Sequence, residues 1–155
     1  MDIEKIYEFL IEEQGIKRSK LSPCCDLRND LGIEGDYFSE LIESFAEKHQ
    51  VNMNYYRWYF HHGEEDWSIG ALFFVPPYDQ VKTIGISPQI LLDAARSKKW
   101  PISYPKHQMT KGRPDITFNM VFLVSIVLVG GVVWLVKEIQ YFMVSSQIAF
   151  SALDS

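Results

Sequence analysis

The residues of this sequence best equipped for chemistry are a stripe of acids, a pair of histidines and a pair of cysteines. Asp36, Glu40, Glu43 and Glu47 recur at i, i+4, i+7 and i+11. At about 100° per residue that spacing gathers them on one side of a helix. Four like charges in a row repel one another, and a positively charged partner surface would relieve the repulsion. Acid–base catalysis needs a pocket and a shifted pKa, which a convex helix face does not supply. The stripe therefore points to docking of a basic protein surface, with a merely solvated helix face as the plain alternative.

His61, His62, Glu64, Glu65 and Asp66 cluster in HHGEED. Imidazoles and carboxylates are ligands for zinc and similar ions. Adjacent histidines diverge, however, Gly63 marks a turn, and no HExxH spacing is present. The expectation is a solvated loop with no metal. Cys24 and Cys25 are the two cysteines. A bond between neighbours is strained, so two free thiols in a reducing compartment are expected. No Ser–His–Asp pattern, phosphate loop or dinucleotide fingerprint occurs. The sequence thus predicts no catalytic residue, no cofactor and no enzyme.

The acidic stripe needs a helix to carry it. Over DYFSELIESFAEKHQ, from Asp36 to about Gln50, Tyr37, Phe38, Leu41, Ile42, Phe45 and Ala46 form an apolar stripe opposite the acids. A loop, DLGIEG, leads in. Before it, residues 1–16 read as an amphipathic helix on Ile3, Ile6, Tyr7, Leu10 and Ile11, with Gly15 as its stop. After it, Tyr55 to Phe60 read as a short helical turn whose rings cap the core. Leu72 to Val75, halted by Pro76–Pro77, suit a short strand or an irregular buried loop. Ser87–Pro88 is a helix start, with Ser as N-cap and Pro at the first helical position. Ile90, Leu91, Ala94 and Ala95 are its buried face, and Pro101 stops it.

Charge divides the 155 residues into three blocks. Residues 1–93 carry a net −9, residues 94–115 a net +5 and residues 116–155 a net −1. The acidic head disfavours nucleic acid, whose phosphates need positive contacts. The basic neck, Arg96, Lys98, Lys99, Lys106, Lys111 and Arg113, precedes ITFNMVFLVSIVLVGGVVWLV at 116–136, a run of 21 residues without a charge. Such a run spans about 30 Å as a helix, the thickness of a bilayer core. The excess of Lys and Arg on its N-terminal side predicts residues 1–115 in the cytoplasm, the tail outside, and the neck near anionic headgroups. The chain opens MDIEKIYEF, with early acids, so no secretory leader is expected.

A resemblance can be followed over Ile3 to Lys98, densest at 30–53. The DLG of Asp30, Leu31 and Gly32, Glu34 two residues on, and Glu40, Leu41 and Ile42 resemble the motif of acyl carrier proteins. The resemblance implies a four-helix fold whose second helix recognises partners. At the position of the serine that carries phosphopantetheine this sequence has Gly35, which has no hydroxyl to form the phosphodiester. Ser39, one helical turn on and on the helix flank, does not replace it. Gly35–Asp36, the aromatics of 56–60, and Asp93, Ala94, Ala95 with Trp100 look like an uncharacterised enterobacterial family, domain of unknown function fourteen-ninety-three. Its members resemble carrier proteins without the serine. That resemblance implies a fold and an enterobacterial cell type, and no established activity.

The expected fold is mainly α: an acyl-carrier-like four-helix domain at 1–100, a basic proline-containing linker at 101–115, one transmembrane helix at 116–136 and a tail at 137–155. The expected function is a non-enzymatic, membrane-anchored interaction module working through Asp36, Glu40, Glu43 and Glu47. The alternatives are an atypical acyl carrier and an immunity-type inhibitor of a basic partner.

Overall fold

Three amphipathic helices build the head of the molecule, and each starts and stops where local chemistry requires. The computed structural model describes residues 1–64 and 68–151, the last seven by backbone alone. Helix α1, Ile3–Gln14, is capped by the Asp2 carboxylate on the Ile3 N–H and closed by Gly15 in the left-handed conformation. Helix α2, Gly35–His49, ends on Gln50, also left-handed. Helix α3, Pro88–Ser97, begins on Ser87, whose hydroxyl accepts from the Ile90 N–H, and has Pro88 in its first turn. Helix α4, Pro114–Ser151, is apolar almost throughout. Among the described residues the protein is mainly helical and has no strand, with one long apolar helix at its C-terminal end.

The chain divides into two units, Met1–Trp67 with Val75–Gly112, and Ser68–Phe74 with Arg113–Ser155. In the first unit, α1, α2 and α3 converge on one core. Ile6, Phe9, Leu10, Leu27, Phe38, Leu41, Phe45 and Leu91 are almost wholly removed from water. Phe9 meets Phe45 edge-on at 5.8 Å between centroids, a favourable aromatic geometry. A single parallel bridge, Asn52 with Lys99, ties the ends of α2 and α3 together. Asn52 N–H donates to Lys98 O at 3.0 Å, and Trp100 N–H donates to Asn52 O at 3.2 Å. Trp100 is thereby drawn into the core, as are Ala94 and Ala95. The expected turn over Tyr55–Phe60 is a 3-10 turn at Trp58–Phe60. Phe60 is buried against Tyr104, while Tyr55 is exposed. Cys24 is exposed, Cys25 is buried, and both are free thiols.

Four expectations need correction. Tyr37, placed in the apolar stripe of α2, is 64% exposed, because it stands at the edge of the stripe where nothing covers it. The 101–115 segment is no free spacer. Ile102 and Tyr104 pack on the core, and the Tyr104 hydroxyl is bonded to three groups of the head. Leu72 and Phe73 are not buried but 79% and 66% exposed. The apolar helix begins at Pro114 rather than 116 and continues without a break through Ser151, where a separate tail from 137 was expected.

The second unit explains how α4 accommodates its polar residues. A helix in hydrocarbon must satisfy its hydrogen-bonding groups internally. The Thr117 hydroxyl donates to Arg113 O at 3.0 Å and the Ser125 hydroxyl to Val121 O at 2.8 Å. Asn119 uses both ends of its amide on the Ser68–Phe74 segment, accepting from Gly70 N–H at 2.7 Å and donating to the Ser68 hydroxyl at 2.8 Å. The large apolar side chains from Val121 to Val136 are exposed. That rules out a buried core helix and leaves a helix long and apolar enough to cross a membrane.

Candidate functional site

Helix α2 presents its acids as expected. Asp36, Glu40, Glu43 and Glu47 are all exposed, and none forms an ion pair with a described residue. The sequence did not show that the same helix also walls a cavity of about 480 Å³. Ile42, Ala46, Met53, Tyr56 and Trp58 supply apolar walls. Ser39 and His62 bring polar groups, and Asp36, Glu43 and Glu64 are exposed acids at its margin. Glu40 and Glu47 share the helix surface but do not line the cavity. The predicted acidic residues are therefore split, two at the cavity mouth and two beside it.

The histidines are the larger surprise. A solvated loop was expected, yet His61 and His62 are 1% and 4% exposed. His62 is held between rings, stacked on Phe38 at 5.0 Å and tilted against Trp58 at 5.6 Å. Its Nδ1 lies 2.9 Å from the Gly63 carbonyl oxygen, which can only accept. Nδ1 therefore donates there, and Nε2 lies 3.3 Å from the Ser39 hydroxyl, within hydrogen-bond distance. A serine hydrogen-bonded to an oriented histidine shares two members of a hydrolytic site, but here the two contacts complete the bonding of a buried ring. Glu65 and Asp66 of the expected cluster lie outside the described residues. Among the described residues no group of three metal-ligating side chains occurs.

His61 faces the other way, into the head. Its Nδ1 donates to Ile84 O at 2.7 Å, and its Nε2 accepts from the Tyr104 hydroxyl at 2.7 Å. That hydroxyl in turn accepts from Trp100 Nε1 at 2.8 Å and from Arg57 N–H at 3.2 Å. Burial pulls the His61 pKa down to about 4, against the opposing pull of the Ile84 hydrogen bond. Tyr56 stacks on His61 at 5.2 Å and also lines the cavity. Its phenol is pushed well above the ordinary range by burial, and its hydroxyl has no partner among the described residues. A buried polar group left unbonded costs free energy.

Gly35, at the position of the missing serine, is buried and lines the cavity. Its φ of +53° lies in the left-handed region, where a side chain is strained. The departure at this position is thus larger than a lost hydroxyl, because the backbone itself is set for glycine.

The basic neck is also divided. Arg96 donates to Met1 O at 2.9 and 3.1 Å, and Lys98 to His49 O at 2.6 Å. Arg113 grips Asp115 at 2.7 Å. Lys99, Lys106 and Lys111 are exposed.

Only Asp36, Glu40, Glu43 and Glu47 were readable as site residues from spacing. Ile42, Met53, Tyr56 and Trp58 were not read as cavity walls, and Ser39 and His62, weighed for other roles, were not placed beside them. The one signal for them was the density of aromatics just before the histidine pair. Comparison with family models, curated proteins and solved structures returned no match for this chain.

Proposed function

We propose that this chain is a non-enzymatic docking module, held at a membrane by α4, that receives a basic protein surface on α2. The observation that carries the reading is that an apolar cavity opens beside Asp36 and Glu43 on the acidic face itself. Binding energy concentrates where a side chain fills a desolvated pocket, while surrounding charges select and steer the partner. A partner residue with an apolar stem and a positive head, Arg or Lys, suits this site. Its stem would lie along Ile42, Met53 and Trp58, and its head would reach Asp36 or Glu43. Buried His62 and its bond to Ser39 supply a rigid wall, and no chemical step is required of them.

The alternatives use the same surface. An immunity-type inhibitor is this docking with a toxin as partner. An atypical carrier is less well supported, because its attachment point would be Ser39, whose hydroxyl is engaged by His62 inside the cavity. The resemblance to a carrier-like family without the serine agrees with a recognition helix kept and a prosthetic group lost.

Charge reversal and cavity filling test docking separately. Partner recovered by the parent chain is expected to fall at least about tenfold with the E40K/E43K/E47K triple variant, since rim charges act together. Ala46→Trp, which fills the cavity without changing charge, is expected to give a similar loss. Unchanged recovery with both variants sinks the reading.

The membrane setting has its own test. We read α4 as a single pass across a bacterial inner membrane with residues 1–115 in the cytoplasm, on the strength of the basic residues before it and their scarcity after it. An alkaline phosphatase fused after Ser155 is expected to be active, and a fluorescent protein needing the cytoplasm is expected to be dark. The opposite pair of results would reverse the orientation.

A further inference from the structure

The Ser68–Phe74 segment and the start of α4 make one unit with an uncovered apolar tip. Leu72 and Phe73 are 79% and 66% exposed, and Phe74 is also exposed. Phe73 lies 5.1 Å and Phe74 6.0 Å from the ring of Phe118 on α4, and Phe118 stacks over Phe122 at 6.3 Å. The exposed rings of the loop therefore continue the apolar surface of the helix. No residue from Ser68 to Phe74 carries a charge. A patch of this kind in contact with water is unfavourable and marks a contact surface.

The loop is fixed at a definite level along α4. Asn119 holds Gly70 and Ser68, and a Cβ at Gly70 would collide with the Asp115 carbonyl oxygen, so the two backbones are in close contact there. At about 1.5 Å per residue, Asn119 is roughly 8 Å along the axis from Pro114, about the depth to which interfacial segments enter a bilayer. The loop backbone is also prepared for that setting. Its 3-10 turn closes Leu72 N–H on Ile69 O at 3.1 Å, and Phe73 and Phe74 N–H on Gly70 O at 3.0 and 2.8 Å. These amides need no water, which is the condition for entering a region that has little.

We infer that Leu72, Phe73 and Phe74 form a wedge inserted into the bilayer interface at the N-terminal end of α4. The chain thus touches lipid at a second place besides its helix. This rests on α4 being a membrane helix. Continuity with the apolar surface of α4 makes lipid the occupant, ahead of a second copy of the chain or a soluble partner. The wedge also accounts for Asn119 inside an apolar segment: its amide is used to hold the loop.

Nitroxide labels on the full chain in phospholipid nanodiscs test this. In a Cys24→Ser, Cys25→Ser background, single labels go at Phe73→Cys and Leu72→Cys. Tyr55→Cys is the water reference and Val127→Cys the helix reference. The ratio of collisions with oxygen to collisions with a water-soluble nickel chelate reports depth. The two loop labels are expected to give a ratio roughly tenfold above position 55 and below position 127. A lipid-like ratio at 127 with water-like ratios at 72 and 73 overturns the wedge and leaves the anchor standing. Low collision with both reagents at 72 and 73, or broadening from a nearby label, overturns it in favour of a protein contact or a second copy. A water-like ratio at 127 removes the anchor, and the wedge with it.

Discussion

Acidification from neutrality to about pH 4 is expected to cost the helical head about 3 kcal/mol through His61 alone. The ring is neutral when folded, with its pKa drawn down to about 4 from an ordinary 6.5. Between these values the unfolded chain binds the proton and the folded one does not. The stabilising contribution is thus fully present above about 6.5 and is lost as the pH falls toward about 4. The hydrogen bonds give the reason. A charged His61 would have to donate from Nε2 toward Tyr104, whose oxygen already accepts from Trp100 and Arg57. His49, lowered first by burial and then by Lys48 and Lys98, acts in the same direction. Chemical unfolding of the chain in micelles, followed by tryptophan fluorescence across this range, measures the effect. Carboxylates also titrate toward its lower end, so the decisive comparison is with His61→Gln, which keeps a polar group and loses the titration. A markedly flatter pH dependence in the variant is expected. Parallel curves for parent and variant would show that His61 is not the source.

Gly70→Ala is expected to release the 68–74 segment from α4. The new methyl would meet the backbone oxygen of Asp115, which has no rotamer to turn aside. Relief requires the loop to move, and movement breaks the bonds from Gly70 N–H to Asn119 and from Asn119 to Ser68. A steric conflict with backbone belongs to the severe class of single substitutions, about 3 kcal/mol. Hydrogen exchange at the residue 70 amide should therefore quicken by on the order of 10²-fold, through local opening rather than global unfolding. The exchange of α1 and α2 core amides should hold steady, because their packing is unaltered. If the amide at position 70 stays protected, the close approach of the two backbones is wrong.

Helix positions were legible because their signals are local. Ser87–Pro88, Gly15 and the 3.6-residue apolar spacing act within a turn or two, and α1, α2 and α3 appear where those signals stand. The apolar run behind α4 was equally legible, since bilayer thickness and helix rise are sufficient to read it. The acids of α2 were placed on an exposed face for the same reason, because periodicity alone sorts inside from outside on one helix.

What periodicity does not carry is contact between distant segments. His61 and His62 looked like a polar turn, and only the approach of Ile84, Tyr104, Ser39 and Phe38 from other parts of the chain buries them. The cavity beside Asp36 and Glu43 exists because Met53, Tyr56 and Trp58 fold back over α2 without filling the space against Ile42 and Ala46. Leu72 to Phe74 read as core because their composition is that of core, whereas the tertiary structure leaves them uncovered next to the apolar helix. The sequence by itself determined the three helices of the head, the acidic face and a helix fit for a membrane, each being a property of one segment and its solvent. The tertiary structure alone decided where the histidines are buried, where the cavity opens and which apolar residues stay exposed, because burial depends on which segments meet and not on what any one of them contains.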